Sequence, residues 1–186
     1  MAFTPRAALI AGVALLSLAA CSQRAENAAT TVQSAAQAQT TPTLSTTDAT
    51  FINMAGTAGI EEVTFAQLAE TKANSAAVRR FARQMVTDHT MVNQQLEALA
   101  QRKQMTPPSS MDMRHEQLYQ QLQGLKGRAF DRAYIDGQVQ DHQMAVQAFQ
   151  TEAQSGSDPD VKAFAQQYLP TLQQHLQMAQ ALAGRH

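Results

Sequence analysis

The sequence predicts an all-α fold, an antiparallel four-helix bundle with one short extra helix between the second and third long helices. Two observations carry this prediction. Only 5% of the 186 residues are aromatic and none is Trp, whereas Gln occurs 26 times, a composition that favours helices over an aromatic-rich sheet. Four long segments also repeat apolar residues at spacings of three and four, which return to one face of a helix.

The first two long helices are predicted over residues 48–73 and 76–104. Asn74 and Ser75 separate them, and Ser75 is a residue type that caps a helix N-terminus. The segment 106–110, Thr-Pro-Pro-Ser-Ser, is a loop because consecutive prolines interrupt regular structure.

A shorter helix is predicted over 112–125, and two further long helices over 128–154 and from 158 to about 182. Asp158 and Pro159 form a typical helix start, with a capping side chain and Pro at the first helical position. Long helices with short connections favour antiparallel packing. The stretch from 105 to 127 is long enough to cross the bundle, so the order of the helices stays open.

The N-terminal residues predict export. Residues 1–20 form a signal peptide, since a basic start precedes an apolar run of 14 residues, too short for the ~20 residues that span a bilayer. The run ends in Leu-Ala-Ala-Cys21, which resembles the lipobox of bacterial lipoproteins and implies cleavage and acylation at Cys21. An ordinary leader that leaves a free Cys21 is the alternative. Ser22, rather than Asp, favours the outer membrane by analogy.

Residues 21–47 are then the acylated Cys and a flexible tether, since they are rich in Ala, Gln, Thr and Ser and poor in large apolar residues. The helical domain occupies 48–186. The predicted location is periplasmic, with the membrane contacted through the lipid at Cys21.

Composition excludes several classes of function. A net charge of −1 without a basic tract argues against nucleic-acid binding. One Cys excludes an internal disulfide and Cys-rich zinc or iron–sulfur sites. No nucleophile or cofactor motif is found, which favours a non-enzymatic role. The oligomeric state is not fixed by the sequence, and a homo-oligomer stays open.

Each long helix carries one ionisable residue within its apolar stripe. These four residues lie 14, 13, 14 and 17 positions after the predicted helix starts, so antiparallel packing brings them to about the same height. They are Glu62, His89, His142 and His175. A carboxylate and three imidazoles suit one transition-metal ion. The alternative is a structural layer whose mutual hydrogen bonds only fix the helix register.

Four further residues are expected near this layer. Asp88 and Asp141 each precede a layer histidine and are candidates for orienting an imidazole, or simply face solvent. Tyr134 and Tyr168 lie about two turns before His142 and His175, where their phenols can donate into the layer.

Methionines follow the same histidines, at Met91, Met144 and Met178. Imidazole with thioether suits Cu(I), but residues two apart on a helix point in different directions. Methionine at helical spacing is usually core filling.

The region 51–183 resembles the exported bacterial domain-of-unknown-function family 4142, which is grouped with ferritin-like folds. The resemblance runs through Gly-Ile-Glu-Glu-Val at 59–63, Met-Val-Thr-Asp-His at 85–89 and Gln-Val-Gln-Asp-His at 138–142. It implies a ferritin-like bundle and export, and no particular reaction.

Di-iron ferritins place Glu three residues before two ligating histidines. Here those positions hold Val86, Val139 and Leu172. A di-iron centre is therefore not expected, and a single metal ion or none fits better. The sequence leaves three hypotheses: an envelope protein that binds a metal or small ligand in stress or metal handling, a structural or interaction module, and a redox enzyme that uses the layer, which the sequence supports least.

Overall fold

The computed structural model describes residues 44–184, and these fold into five helices. The predicted all-α class and the short helix between the second and third long helices are confirmed. The helices are α1 (Thr46–Lys72), α2 (Ala76–Arg102), α3 (Met113–Gly124), α4 (Gly127–Ser155) and α5 (Pro159–Ala183). Within residues 44–184, no helix is long and apolar enough to cross a membrane. The predicted signal peptide, Cys21 and nearly all of the tether lie outside the described residues.

The predicted helix boundaries agree with the structure to within about two residues, because residues that cap helix N-termini can be recognised in the sequence. Ser75, Asp112 and Asp158 each accept a hydrogen bond from a backbone N–H of the first turn. The capping residue of α1 was not predicted. Ser45 caps this helix, which begins at Thr46, two residues before the predicted position.

The two ends of the bundle are fixed by buried carboxylates that cap helices far away in the chain. Near the start of α1, Asp48 accepts hydrogen bonds from the backbone N–H groups of Ser157 and Asp158 at 3.0 and 3.1 Å. At the opposite end, Asp131 accepts from Asn74 and Ser75, both at 2.8 Å. The start of α1 therefore meets the α4–α5 turn, and the α1–α2 turn meets the start of α4.

These contacts establish the helix order that the sequence left open. The α1–α2 and α4–α5 hairpins pack most extensively within themselves, while α1 also packs on α4 and α2 on α5. All neighbouring helices are antiparallel, and α2 and α4 run in the same direction. The connection from α2 to α4 must therefore travel the length of the bundle, as in ferritin-like folds with one crossover.

Helix α3 makes this crossing over the groove between α1 and α4, the two long helices that it contacts. The Tyr119 ring stacks on Phe65 of α1 with ring centroids 5.9 Å apart, and Lys72 Nζ donates to the carbonyl oxygen of Gln123. Only Leu122 of α3 is fully buried.

The core consists of two apolar clusters separated by polar residues. One cluster surrounds Phe51, Leu96, Phe149 and Phe164, and the other surrounds Phe65, Phe81, Phe130 and Ile135. Each long helix contributes one segment to each cluster, and buried polar residues lie between these two segments. The buried polar residues at this height are Glu61, Glu62, His89, Gln138, His142 and His175.

The carboxyl groups of Glu152 on α4 and Asp48 on α1 form a buried pair. The pH dependence of folding tests this contact. Burial, and then the contact with Asp48, raise the pKa of Glu152 to about 7 from 4.5. A raised carboxyl pKa means that the folded state holds the proton longer, so stability falls as the pH rises from 4.5 to 7. We expect Glu152→Gln to remove about 1 kcal/mol of this fall, after allowance for solvent screening. Urea unfolding at pH 5 and pH 8 measures it, and an unchanged difference between the two pH values would contradict the assignment.

Candidate metal site

Three histidines from three helices meet between the apolar clusters. The rings of His89, His142 and His175 have centroid separations of 5.2–5.5 Å, and all three residues are at least 95% buried. One ring nitrogen from each residue lies within 4.8 Å of those of the other two. The helix spacing predicted this convergence, and the antiparallel packing of α2, α4 and α5 produces it.

Two of the imidazoles are oriented by acceptors on their outer nitrogens. His175 Nε2 donates to Asp88 Oδ2 at 2.8 Å, and His142 Nδ1 donates to the carbonyl oxygen of Gln138 at 3.0 Å. A carboxylate and a carbonyl only accept, so the proton of each neutral ring occupies the outer nitrogen. The inner nitrogens, His142 Nε2 and His175 Nδ1, face each other at 3.4 Å and both present lone pairs.

The third imidazole adds another free nitrogen. His89 Nε2 is buried and has no hydrogen-bond partner within the described residues. An unpaired buried polar atom costs about 1–3 kcal/mol, and two facing lone pairs add repulsion. One ring nitrogen of His89 lies within 4.8 Å of a nitrogen of each other ring, so a cation placed among the rings would meet one nitrogen from each.

The protonation states agree with metal binding. Burial lowers the pKa of His142 to about 4. Burial, followed by the neighbouring imidazoles, lowers the pKa of His89 well below 6.5. Burial also lowers the pKa of His175, against the opposing effect of Asp88. All three rings are therefore neutral at pH 7, and neutral imidazole is the form that ligates a metal.

Glu62, the fourth predicted ligand, lies on the far side of His142 from the other rings. Its Oε1 is 3.4 Å from His142 Nδ1, and its Oε2 accepts a 2.7 Å hydrogen bond from Gln138 Nε2. Burial raises the pKa of Glu62 to about 8. In this position the carboxyl group orients His142, and direct ligation by Glu62 stays a prediction.

Four residues were expected to contact the polar layer, and the structure places them in different environments. They are Asp88, Tyr134, Tyr168 and Asp141. Asp88 contacts His175 of α5, not its own neighbour His89. Tyr134 is buried between Phe81 and Phe130, and its hydroxyl has no hydrogen-bond partner within residues 44–184. Tyr168 packs against Phe164 in the first apolar cluster.

Asp141, the fourth of these residues, faces Glu61 of α1 and His115 of α3. The sequence singled out neither partner, because the position of α3 depends on the crossover. A cavity of about 450 Å³ joins this group to the histidines and is lined by Glu61, Glu62, His89, His115, Asp141 and His142. Gln138, which holds both His142 and Glu62, was also missed since an amide among 26 Gln carries no signal.

The methionines that follow the histidines do not enter the cluster of rings. Met91 and Met144 are 51% and 53% exposed, and Met178 packs in the second apolar cluster. Met144 lines the cavity together with Met54.

The fold and the buried histidines define an all-α bundle with candidate metal-binding groups. The chain belongs to the family described as domain of unknown function DUF4142, whose model matches residues 33–182. The resemblance to that family is thereby confirmed. A search of curated proteins finds no match.

Solved structures share the fold at low sequence identity. A DUF305 fragment from Deinococcus radiodurans has a TM-score of 0.69 at 18% identity, covering 78% of this chain and 100% of its own. A DUF305 protein from Streptomyces coelicolor has a TM-score of 0.64 at 13% identity, covering 75% and 91%. CopM in its Cu(II)-bound form has a TM-score of 0.64 at 18% identity, covering 74% and 96%.

The unpaired nitrogen of His89 makes a prediction about the metal-free protein. We expect His89→Leu to leave the free energy of unfolding unchanged or raise it by about 1 kcal/mol, because Leu removes an unsatisfied polar atom at similar volume. His142→Leu is the matched control and should cost about 0.5–1.5 kcal/mol, since it removes the hydrogen bond that His142 Nδ1 donates to the Gln138 carbonyl oxygen. Chemical denaturation in the presence of a chelator measures both. A large loss in His89→Leu would show that this ring already has a structural partner.

Proposed function

We propose that the protein binds one copper ion through His89, His142 and His175 and serves copper handling in the bacterial cell envelope. The observation that carries this proposal is the 3.4 Å approach of His142 Nε2 to His175 Nδ1, with a ring nitrogen of His89 within 4.8 Å of a nitrogen of each. Three neutral imidazoles form a donor set for copper or zinc.

The charges around the rings support a cation. Asp88 lies on the outer nitrogen of His175 at 2.8 Å, and the Glu62 carboxyl group lies beside that of His142. Such partners orient an imidazole and increase its basicity. Asp88 also places negative charge near the ion without requiring a charged ligand, whereas the Glu62 carboxyl group, whose pKa burial raises to about 8, is mostly protonated at pH 7.

Copper is favoured over other first-row ions for two reasons. Nitrogen sites bind Cu²⁺ more tightly than the other divalent ions of the series. In addition, the structural neighbour CopM has been solved in Cu(II)-, Cu(I)- and Ag-bound forms. Half-exposed Met54 and Met144 line the same cavity and offer soft donors on the approach to the rings.

A structural layer without metal is the competing function. It is favoured by the hydrogen bonds that hold Glu62, Gln138 and His142 in one network. It requires a second proton on His142 or His175, so that an N–H donates across the 3.4 Å gap. Burial opposes that charged form.

Copper binding is tested on the purified full-length chain without a polyhistidine tag. We expect one copper per chain by elemental mass spectrometry and at least a tenfold loss of Cu(I) affinity in His89→Leu, measured by chelator competition. Asp88→Asn should weaken binding about 10–100-fold, because it removes the carboxylate behind His175.

His115→Ala is the matched control, since it removes a histidine outside the trio and should retain copper. Absence of copper after reconstitution, or equal binding by wild type and His89→Leu, would leave the structural layer as the function of the histidines.

We further propose that the chain is exported and anchored by lipid at Cys21, with the outer membrane as its destination. The lipobox resemblance and the composition of the N-terminal segment support this proposal. Stable anchoring needs at least two acyl chains, which lipidation of the thiol and the new amino group supplies.

Lipidation predicts that the protein incorporates an alkyne-labelled fatty acid and sediments with the membrane fraction. Cys21→Ser should abolish the fatty-acid label and the sedimentation with membranes, whether or not the leader of the variant is cleaved. Unlabelled wild-type protein in the soluble periplasmic fraction would instead support an ordinary cleaved leader.

A further inference from the structure

A second group of ligand atoms lies beneath α3. Glu61 of α1, His115 of α3 and Asp141 of α4 each offer one atom within 4.8 Å of the others. His115 Nε2 is 3.0 Å from Glu61 Oε2. The three side chains line the same cavity as His89 and His142. The two groups have no residue in common.

The helix geometry explains why this group exists. Glu61 and Asp141 each precede a residue of the buried layer, and one step along a helix rotates the side chain by about 100°. On α1 and α4 this rotation turns the carboxylates into the groove that α3 covers. His115 then meets them from α3, with its side chain only 13% exposed.

One detail of this group points to a ligand. Glu61 is 97% buried, and its Oε1 has no hydrogen-bond partner within the described residues. His115 has Glu61 at Nε2, and Asp112 Oδ1 lies 2.9 Å from its Nδ1 without forming a hydrogen bond.

We propose that Glu61, His115 and Asp141 form a second metal site, which takes a divalent first-row cation through two carboxylates and one imidazole. The cation would lie among one carboxylate oxygen of Glu61, one of Asp141 and a ring nitrogen of His115, which are within 4.8 Å of one another. Oxygen-rich sets of this kind suit Mn²⁺ and related divalent ions, whereas the three-imidazole set suits copper. The two sites therefore differ in the ion that they prefer.

Arg114 is the natural competitor for this site. Its Nη2 lies 3.1 Å from His115 Nε2, and its guanidinium supplies positive charge to the carboxylates. Arg114 is exposed, so a bound cation displaces it into solvent at small cost. Removal of Arg114 should therefore strengthen cation binding, whereas removal of a ligand should weaken it.

The second site rests on contacts that are independent of copper binding. Loss of copper from the three histidines leaves Glu61, His115 and Asp141 in place, and loss of the second site leaves the histidines in place. Failure of either proposal is therefore distinguishable from failure of the other.

The test is a Mn²⁺ titration of the chelator-treated full-length chain, with free Mn²⁺ read by electron paramagnetic resonance. We expect one bound Mn²⁺ per chain and a rise in the unfolding midpoint with Mn²⁺ concentration. His115→Ala and Asp141→Asn should each weaken binding at least tenfold. Arg114→Ala should tighten it severalfold, and His89→Leu should leave it unchanged.

Circular dichroism establishes that each variant is folded, and Asp141→Asn serves where His115→Ala loses the fold. Two results would overturn the proposal. One is the absence of Mn²⁺ binding to the wild-type chain. The other is equal binding by wild type, His115→Ala and Asp141→Asn, which would reduce the group to a buried ion pair that holds α3.

Discussion

The buried polar layer constrains the whole bundle. Each of the four long helices places polar groups at one height between two apolar clusters, and a shift of any helix by one turn would bury an imidazole or carboxyl group in hydrocarbon. Such a group costs several kcal/mol unless it is paired. The layer thus fixes the relative height of the helices, while the clusters around Phe51 and Phe65 supply the apolar burial.

The carboxylate caps at the two ends reinforce the same register. Asp48 and Asp131 each reach a turn on the opposite hairpin, so both hairpins are located along the bundle axis at both ends. Their hydrogen bonds satisfy backbone donors that every helix N-terminus leaves unpaired. The middle of the bundle can therefore contain unpaired nitrogen atoms without loss of the fold, because its ends and its apolar layers hold the helices.

Much of this arrangement was predictable from the sequence. Helix bounds followed from Ser75, Asp112 and Asp158 because capping is a local property. The convergence of the three histidines followed from spacing and depth, which need only antiparallel packing. The histidine–aspartate pairing was not predictable, because Asp88 lies next to His89 in sequence and contacts His175 across a helix interface.

The Glu61, His115 and Asp141 group was missed for a related reason. Its geometry depends on the path of α3 over the groove between α1 and α4, and nothing in the sequence from 105 to 127 fixes that path. Gln138 was missed because its role depends on an amide that donates to Glu62 and a carbonyl that accepts from His142. Residues on one helix face recur every three or four positions in the sequence. Residues that meet across two different helices follow no regular spacing.

The thin attachment of α3 has a consequence for exchange between the cavity and solvent. This helix has 12 residues and only one that is fully buried, so its local unfolding requires far less free energy than separation of the long helices. Local unfolding of α3 would uncover one side of the cavity while the four long helices remain folded. It would also separate His115 from Glu61 and Asp141, whereas the three buried histidines would stay in place on the long helices.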